Sequence, residues 1–121
     1  MSDDIRDFRD LLIWRKAITL AKEVYEITRR FPPSERYGLT AQVRRAAVSV
    51  SSNIAEGHAR RGREFVHFLS VARGSLAEVE SQLTLGVELG YLDTGDVEPI
   101  ASLATEIRRM SAATTRKLTP P

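Results

Sequence analysis

Gln42–Gly57 reads QVRRAAVSVSSNIAEG, and this stretch decides the fold. Gln42, Ala46, Ser49, Asn53 and Glu56 follow one another at steps of 4, 3, 4 and 3, which places them on one seam of a helix. Leu39, Val43, Ala47, Val50 and Ile54 form a parallel apolar stripe. An oily face beside a narrow seam of small and polar groups sets how helices register against each other. It does not specify a reaction. The face opposite the stripe carries Ala41, Val48, Ser52 and Ala55, and only Arg44 and Arg45 are long and charged between Leu39 and Ile54. A helix that is small or apolar nearly all round is normally buried. Four helices in one bundle surround none of their members, so a second copy of the chain is the expected cover. Gly74-Ser75, with Glu78 one turn later, offers a matching close-approach site on the next helix.

Outward from this stretch the periodicity predicts three more helices and no strand. The first spans about Leu11–Arg30, with Trp14, Ala17, Ile18, Ala21, Val24, Tyr25 and Thr28 as its stripe, and Phe31-Pro32-Pro33 stops it. The second runs from Tyr37 or Gly38 to Glu56, with Gly57 as a left-handed terminator. The third covers about Arg63–Leu89, with Phe65, Phe68, Leu69, Ala72, Leu76, Val79, Leu83 and Val87 inward and Gly90 at its end. The fourth starts near Asp93–Asp96, where acidic and hydroxyl side chains can cap it, and reaches about Lys117. Its stripe is Val97, Ile100, Leu103, Ala104, Ile107, Met110, Thr114 and Leu118. Short connections make sequential neighbours antiparallel. The expected fold is all-α, an antiparallel up-down-up-down four-helix bundle. Residues 1–121 make one domain, with about 1–9 as an N-terminal extension and 119–121 as a frayed tail.

Composition narrows the chemistry. The chain has no cysteine, so disulfides, thiolate metal sites and thiol nucleophiles are excluded. MSDDIRDF at the start has no apolar core of a secretory signal, and no apolar run approaches the ~20 residues that span a bilayer. A cytoplasmic protein with no membrane partner is expected. The net charge of +2 is unevenly spread. Between Arg29 and Arg73 stand nine basic and three acidic residues, a net of +6, and the rest of the chain carries −4. Most of the basic residues are arginines, whose fork matches phosphate and carboxylate.

No constellation supports catalysis. Glu64-x-x-His67 has the spacing of half a di-iron ligand set, but no second such pair exists, and a capping glutamate beside a surface histidine explains it. Ser49, Ser51 and Ser52 lack a partner histidine at suitable spacing. Glu56 and Glu78 fit a structural polar network with Gln42, Ser49 and Asn53 better than an acid–base pair. No metal, cofactor or small-molecule substrate is expected. His58-Ala-Arg-Arg-Gly-Arg63 is a basic turn into a helix N-terminus, where an anion is favoured. With Arg29, Arg30, Arg44 and Arg45, the residues Arg60, Arg61 and Arg63 form a candidate nucleic-acid surface. Phe65 and Phe68 belong to the core in this reading, so aromatic interleaving is absent and contacts go to the backbone. The rival reading is a structural or protein-interaction module whose arginines serve subunit contacts.

These residues resemble a known family. Phe31-Pro32, Glu35-x-Tyr37-Gly38-Leu39, Gln42-x-x-Arg45-Ala46, Ser49, Asn53-Ile54-Ala55-Glu56-Gly57 and Phe65-x-x-Phe68-Leu69-x-x-Ala72-x-Gly74-Ser75-x-x-Glu78 are similar to the four-helix bundle family named after the 23S rRNA intervening-sequence protein. Trp14, Ala17 and Tyr25 fit as well, and the similarity extends from about Phe8 to Leu118. The resemblance implies small bundles that assemble into cyclic pentamers, some encoded within insertions in rRNA genes. It also implies kinship with accessory proteins of diversity-generating retroelements, basic barrels that bind reverse transcriptase and nucleic acid. It carries over no catalytic residue, and most members have no assigned activity. The resulting expectation is a non-enzymatic homo-oligomeric scaffold that contacts RNA, DNA or a nucleoprotein partner.

Overall fold

The computed structural model describes residues 5–119, so the ends of the expected extension and tail, residues 1–4 and 120–121, lie outside the described residues. Four helices dominate: α1 (Leu12–Ile27), α2 (Leu39–Arg60), α3 (Gly62–Glu88) and α4 (Thr94–Leu118). Among the described residues there is no strand. Each helix packs on its neighbours in the chain, and α4 closes against α1. Cross-links run in opposite order along paired helices, as antiparallel neighbours require. Arg73 bonds to Ser111 while Glu80 pairs with Arg108, and Lys16 pairs with Glu106 while Arg30 pairs with Asp96.

Each boundary has a local cause. A short 3-10 turn, Phe8–Asp10, precedes α1, closed by reciprocal bonds between Asp7 and Asp10, and Phe8 packs edge-on against Trp14. At the far end of α1, Thr28 Oγ1 donates to the Val24 carbonyl at 2.7 Å before Phe31-Pro32 breaks the helix. Glu35 then caps α2 from four residues upstream: its Oε1 accepts the Leu39 N–H at 2.9 Å, and its Oε2 accepts the Tyr91 hydroxyl at 2.9 Å. One carboxylate thereby ties the α1–α2 connection to the α3–α4 connection. At the end of α3, Gly90 has φ +82, Tyr91 N–H bonds to Gly86 O and Gly90 N–H to Val87 O, a Schellman ending. Asp93 and Asp96 form the reciprocal capping box that starts α4.

One expectation needs correction. Gly57 does not terminate α2; it is a buried residue within the helix, which continues to Arg60. A Cβ there would lie 2.7 Å from Phe68 Cβ and 3.0 Å from a Phe65 ring carbon, so this glycine permits close approach of α2 to α3. The chain turns instead at Arg61, with φ 67 and ψ 169, and Gly62, with φ 57. Gly74, read as a close-approach site for a second copy, is exposed and has nothing within 4 Å of the place a Cβ would take, so no helix of the same chain approaches it.

The core is filled by Leu20 and Val24 from α1, Val43, Val50 and Ile54 from α2, Leu69, Leu76 and Val79 from α3, and Ile100 and Ile107 from α4, all fully buried. Each contributes about 1.5–3 kcal/mol through burial. On α1 the buried line is Ile13, Ala17, Leu20, Val24 and Thr28, one step round from the predicted stripe, and Tyr25 is 43% exposed. The displacement arises because α1 meets α2 on one side and α4 on the other. Its apolar arc is wide enough to hold two adjacent 3-4 frames.

Candidate functional site

The polar seam of α2 splits in the folded chain. Asn53 Nδ2 donates to the Ser49 carbonyl at 2.8 Å and to Ser49 Oγ at 2.9 Å, and Ser75 on α3 donates to Ser49 Oγ at 3.0 Å. This three-residue cluster pins the register of the α2–α3 pair. Gln42 and Glu78 reach the same region without joining it. Together with Arg45, Ala46, Ser49 and Gln82 they line a polar groove of about 340 Å³ between the two helices. Gln82 presents a buried Oε1 with no hydrogen-bond partner among the described residues. Glu56 is not part of the cluster. It is half exposed and accepts from Arg60 Nε at 2.6 Å.

The seven arginines proposed from the sequence do not form one patch. Arg29, Arg30 and Arg44 lie where α1 gives way to α2, and Arg60, Arg61 and Arg63 lie at the α2–α3 turn. From Arg44 to Arg61 the helix rises about 25 Å. Arg45 stands on the α2–α3 groove. Several are already engaged. Arg30 pairs with Asp96 at 2.7 Å. Arg44 donates to Thr28 Oγ1 at 2.9 Å and covers the Tyr25 ring at 4.6 Å. Arg60 bridges Glu56 and Glu64, and these two carboxylates hold its pKa above the usual arginine value. Arg29 meets Glu26 only loosely, at 3.8 Å. The Glu64 carboxylate is taken by Arg60 and does not cap α3, which begins without a side-chain cap, while His67 is exposed and meets Phe68 edge-on.

Aromatic groups do accompany the arginines, contrary to the sequence reading. Tyr37 is 87% exposed with Arg36 5.6 Å from its ring centre, and Tyr25 is partly exposed under Arg44. These pairs belong to the α1–α2 end. Phe65 is buried, as expected. Phe68 is only partly buried and carries Arg60 over its ring at 5.3 Å, so it is not the core residue its spacing predicted. The sequence signal for the exposed pairs was the adjacency Arg36-Tyr37 between Pro33 and Gly38, where a chain reversal leaves little to bury a ring.

The outer face of α2 is poor in charge, whereas that of α3 carries Glu64, Glu78 and Glu88 among apolar and small residues. Val48 on α2, Val71 and Leu85 on α3 and Leu89 just past the end of α3 are all exposed, and Ser52, Ala59, Gly74 and Ala77 are exposed on the same two helices. Among the described residues no helix is long and apolar enough to cross a membrane, and no group of three potential metal ligands comes together.

The family model described as "23S rRNA-intervening sequence protein" matches residues 9–113. Among solved structures, the chain is similar to a crystal structure of a protein with unknown function from the S23 ribosomal protein family of Bacteroides thetaiotaomicron VPI-5482. The two share 20% identity and superpose with a TM-score of 0.75, covering 87% of this chain and 99% of the other. That likeness concerns the fold. No curated protein matches.

Proposed function

Since the chain belongs to the 23S rRNA-intervening sequence protein family, we propose that it is a non-enzymatic helical scaffold that assembles with copies of itself, as a pentamer, and presents arginines to RNA, DNA or a nucleoprotein. The observation that carries this reading is the outward face of α2 and α3. Val48, Val71, Leu85 and Leu89 stand 41%, 38%, 47% and 49% exposed along these two helices, Leu89 just past the end of α3. Large apolar side chains left exposed on a small domain are suited to a partner surface. A ring of copies would repeat Arg45, Arg61 and Arg63, which have no side-chain partner among the described residues, and multiply weak phosphate contacts through effective concentration. Light scattering coupled to gel filtration tests the assembly. A particle several times 13.5 kDa that falls apart in Val48→Glu supports it, and a monomer at micromolar concentration removes it.

A second reading, an interaction module without nucleic acid, draws on the internal pairing of Arg30, Arg44 and Arg60. Fluorescence anisotropy with labelled RNA and duplex DNA at low and physiological salt separates the two. Sequence-independent binding that weakens steeply with salt supports the scaffold on nucleic acid. No binding at low salt by the intact oligomer leaves the module.

A further inference from the structure

At the end of the bundle where α2 turns into α3, a groove of about 400 Å³ opens between Ile5, Leu11, the α2–α3 corner and the last turns of α4. Its floor is apolar, supplied by Ile5, Leu11, Phe65 and Leu118. Its other walls include Arg61, Lys117 and His58, and among the described residues no carboxylate lines it. Neither Arg61 nor Lys117 has a side-chain partner among the described residues. Among the described residues the groove therefore combines an oily floor with positive charge that no carboxylate meets.

Arg61 occupies this place against local preference. Its φ of 67 and ψ of 169 lie in a region that is essentially reserved for glycine. The next residue, Gly62, is a glycine, and a glycine at 61 would make the same corner without strain. An arginine kept in a glycine conformation, with its side chain lining a cavity, points from strain to use. Beside it α3 begins without any side-chain cap, so the first N–H groups of that helix add positive potential at Gly62, which also lines the groove.

We propose that this groove binds a small monocarboxylate with an apolar tail, its carboxylate held by the Arg61 fork with Lys117 in support and its tail laid over Phe65, Leu11 and Leu118. The guanidinium fork matches a carboxylate bidentately. A wall of alkyl and ring carbons with Thr114 as its one hydroxyl suits a hydrocarbon better than a sugar or a base. A cavity of this size holds a tail of roughly eight to ten carbons. The site shares Arg61 with the nucleic-acid reading but does not depend on it.

Decanoate is the probe, titrated calorimetrically into the full chain below its micelle concentration, with decanol as the neutral arm and the melting temperature of each protein read in parallel. One saturable site per chain is expected, with decanol bound about tenfold more weakly or worse, in line with loss of a charge-assisted contact. Arg61→Gly should raise the melting temperature of the unliganded protein, because strain is released, and lose decanoate affinity about tenfold. Lys117→Gln, on an exposed stretch of α4, should weaken decanoate and leave decanol unchanged. Equal affinity for decanoate and decanol, undiminished decanoate binding by Arg61→Gly, or a lowered melting temperature on adding decanoate would each overturn the proposal. So would binding confined to a variant with Asp3 and Asp4 changed to Asn, which would assign the groove to the chain's own acidic N-terminal residues.

Discussion

Gly57 in α2 and Phe68 in α3 stand so close that a Cβ on the glycine would lie 2.7 Å from Cβ of the phenylalanine. Neither atom is the tip of a flexible group, so one helix must move to admit a methyl. Gly57→Ala gains about 1 kcal/mol of helix propensity, against an overpacking cost of typically 1–3 kcal/mol. A net loss of stability is expected, seen as a lower urea midpoint. Gly74→Ala is the control. It lies in an exposed helix interior with open space around it, so it should raise the midpoint of the folded chain.

The Ser49–Asn53–Ser75 cluster separates two residues that the sequence grouped together. Asn53→Ala removes both bonds to Ser49 and should cost about 1 kcal/mol. Glu56→Ala breaks a solvent-exposed pair with Arg60 and should leave the urea midpoint where it was. A Glu56→Ala loss as large as that of Asn53→Ala would contradict this assignment.

Acid should unfold the protein partly through two capping aspartates. The backbone N–H groups of Arg6 and Asp7 hold the Asp10 carboxyl below 3.8. The N–H of Asp93, with the Arg30 charge, does the same for Asp96. Each folded-state pKa is depressed, so the stabilisation is present above the unfolded value and is lost as pH falls through the lower folded one. The double variant Asp10→Asn, Asp96→Asn should therefore be less stable at neutral pH and show a shallower fall in urea midpoint below about pH 4. Parallel curves for the two proteins would rule out this source.

Arg44 belongs to the fold rather than to a binding surface. It holds Thr28 and the Tyr25 carbonyl and lies over the Tyr25 ring. Arg44→Ala should cost about 1–2 kcal/mol. Measured on folded protein, it should alter nucleic-acid affinity less than Arg61→Ala combined with Arg63→Ala. Anisotropy titrations of the two variants give the comparison.

Helix count, the inward stripe of α3 and the start of α4 were legible because their signals are local: Gly90 needs positive φ, and Asp93 and Asp96 cap within one turn. Gly57 misled for a physical reason. A left-handed terminator and a close-approach site both demand the absence of a Cβ, and one chain cannot say which atom would be met. Glu35 was invisible as a cap because its second partner, Tyr91, is 56 residues away. The arginines were legible as a charge excess but not as a distribution. Counting cannot show that Arg30 and Arg44 spend their donors on Asp96 and Thr28, or that α2 separates the groups by its own length. The groove at Arg61 left no sequence signal, since its walls come from three distant segments and its strained residue stands beside a glycine that would be credited with the turn.

Leu11, Thr114 and Leu118 line one groove, which places the beginning of α1 against the end of α4. Since each helix touches its successor and the last touches the first, the bundle is a closed cycle and the chain is one way of cutting it. A circular permutant that joins the two ends through a short linker and opens at Gly90–Asp93 would keep every helix-to-helix surface intact. The single-residue hinge at Arg61 offers no such opening. The connectivity of this protein is thus more replaceable than its cyclic order, and a binding partner that reads only the packed helices could not tell the two chains apart.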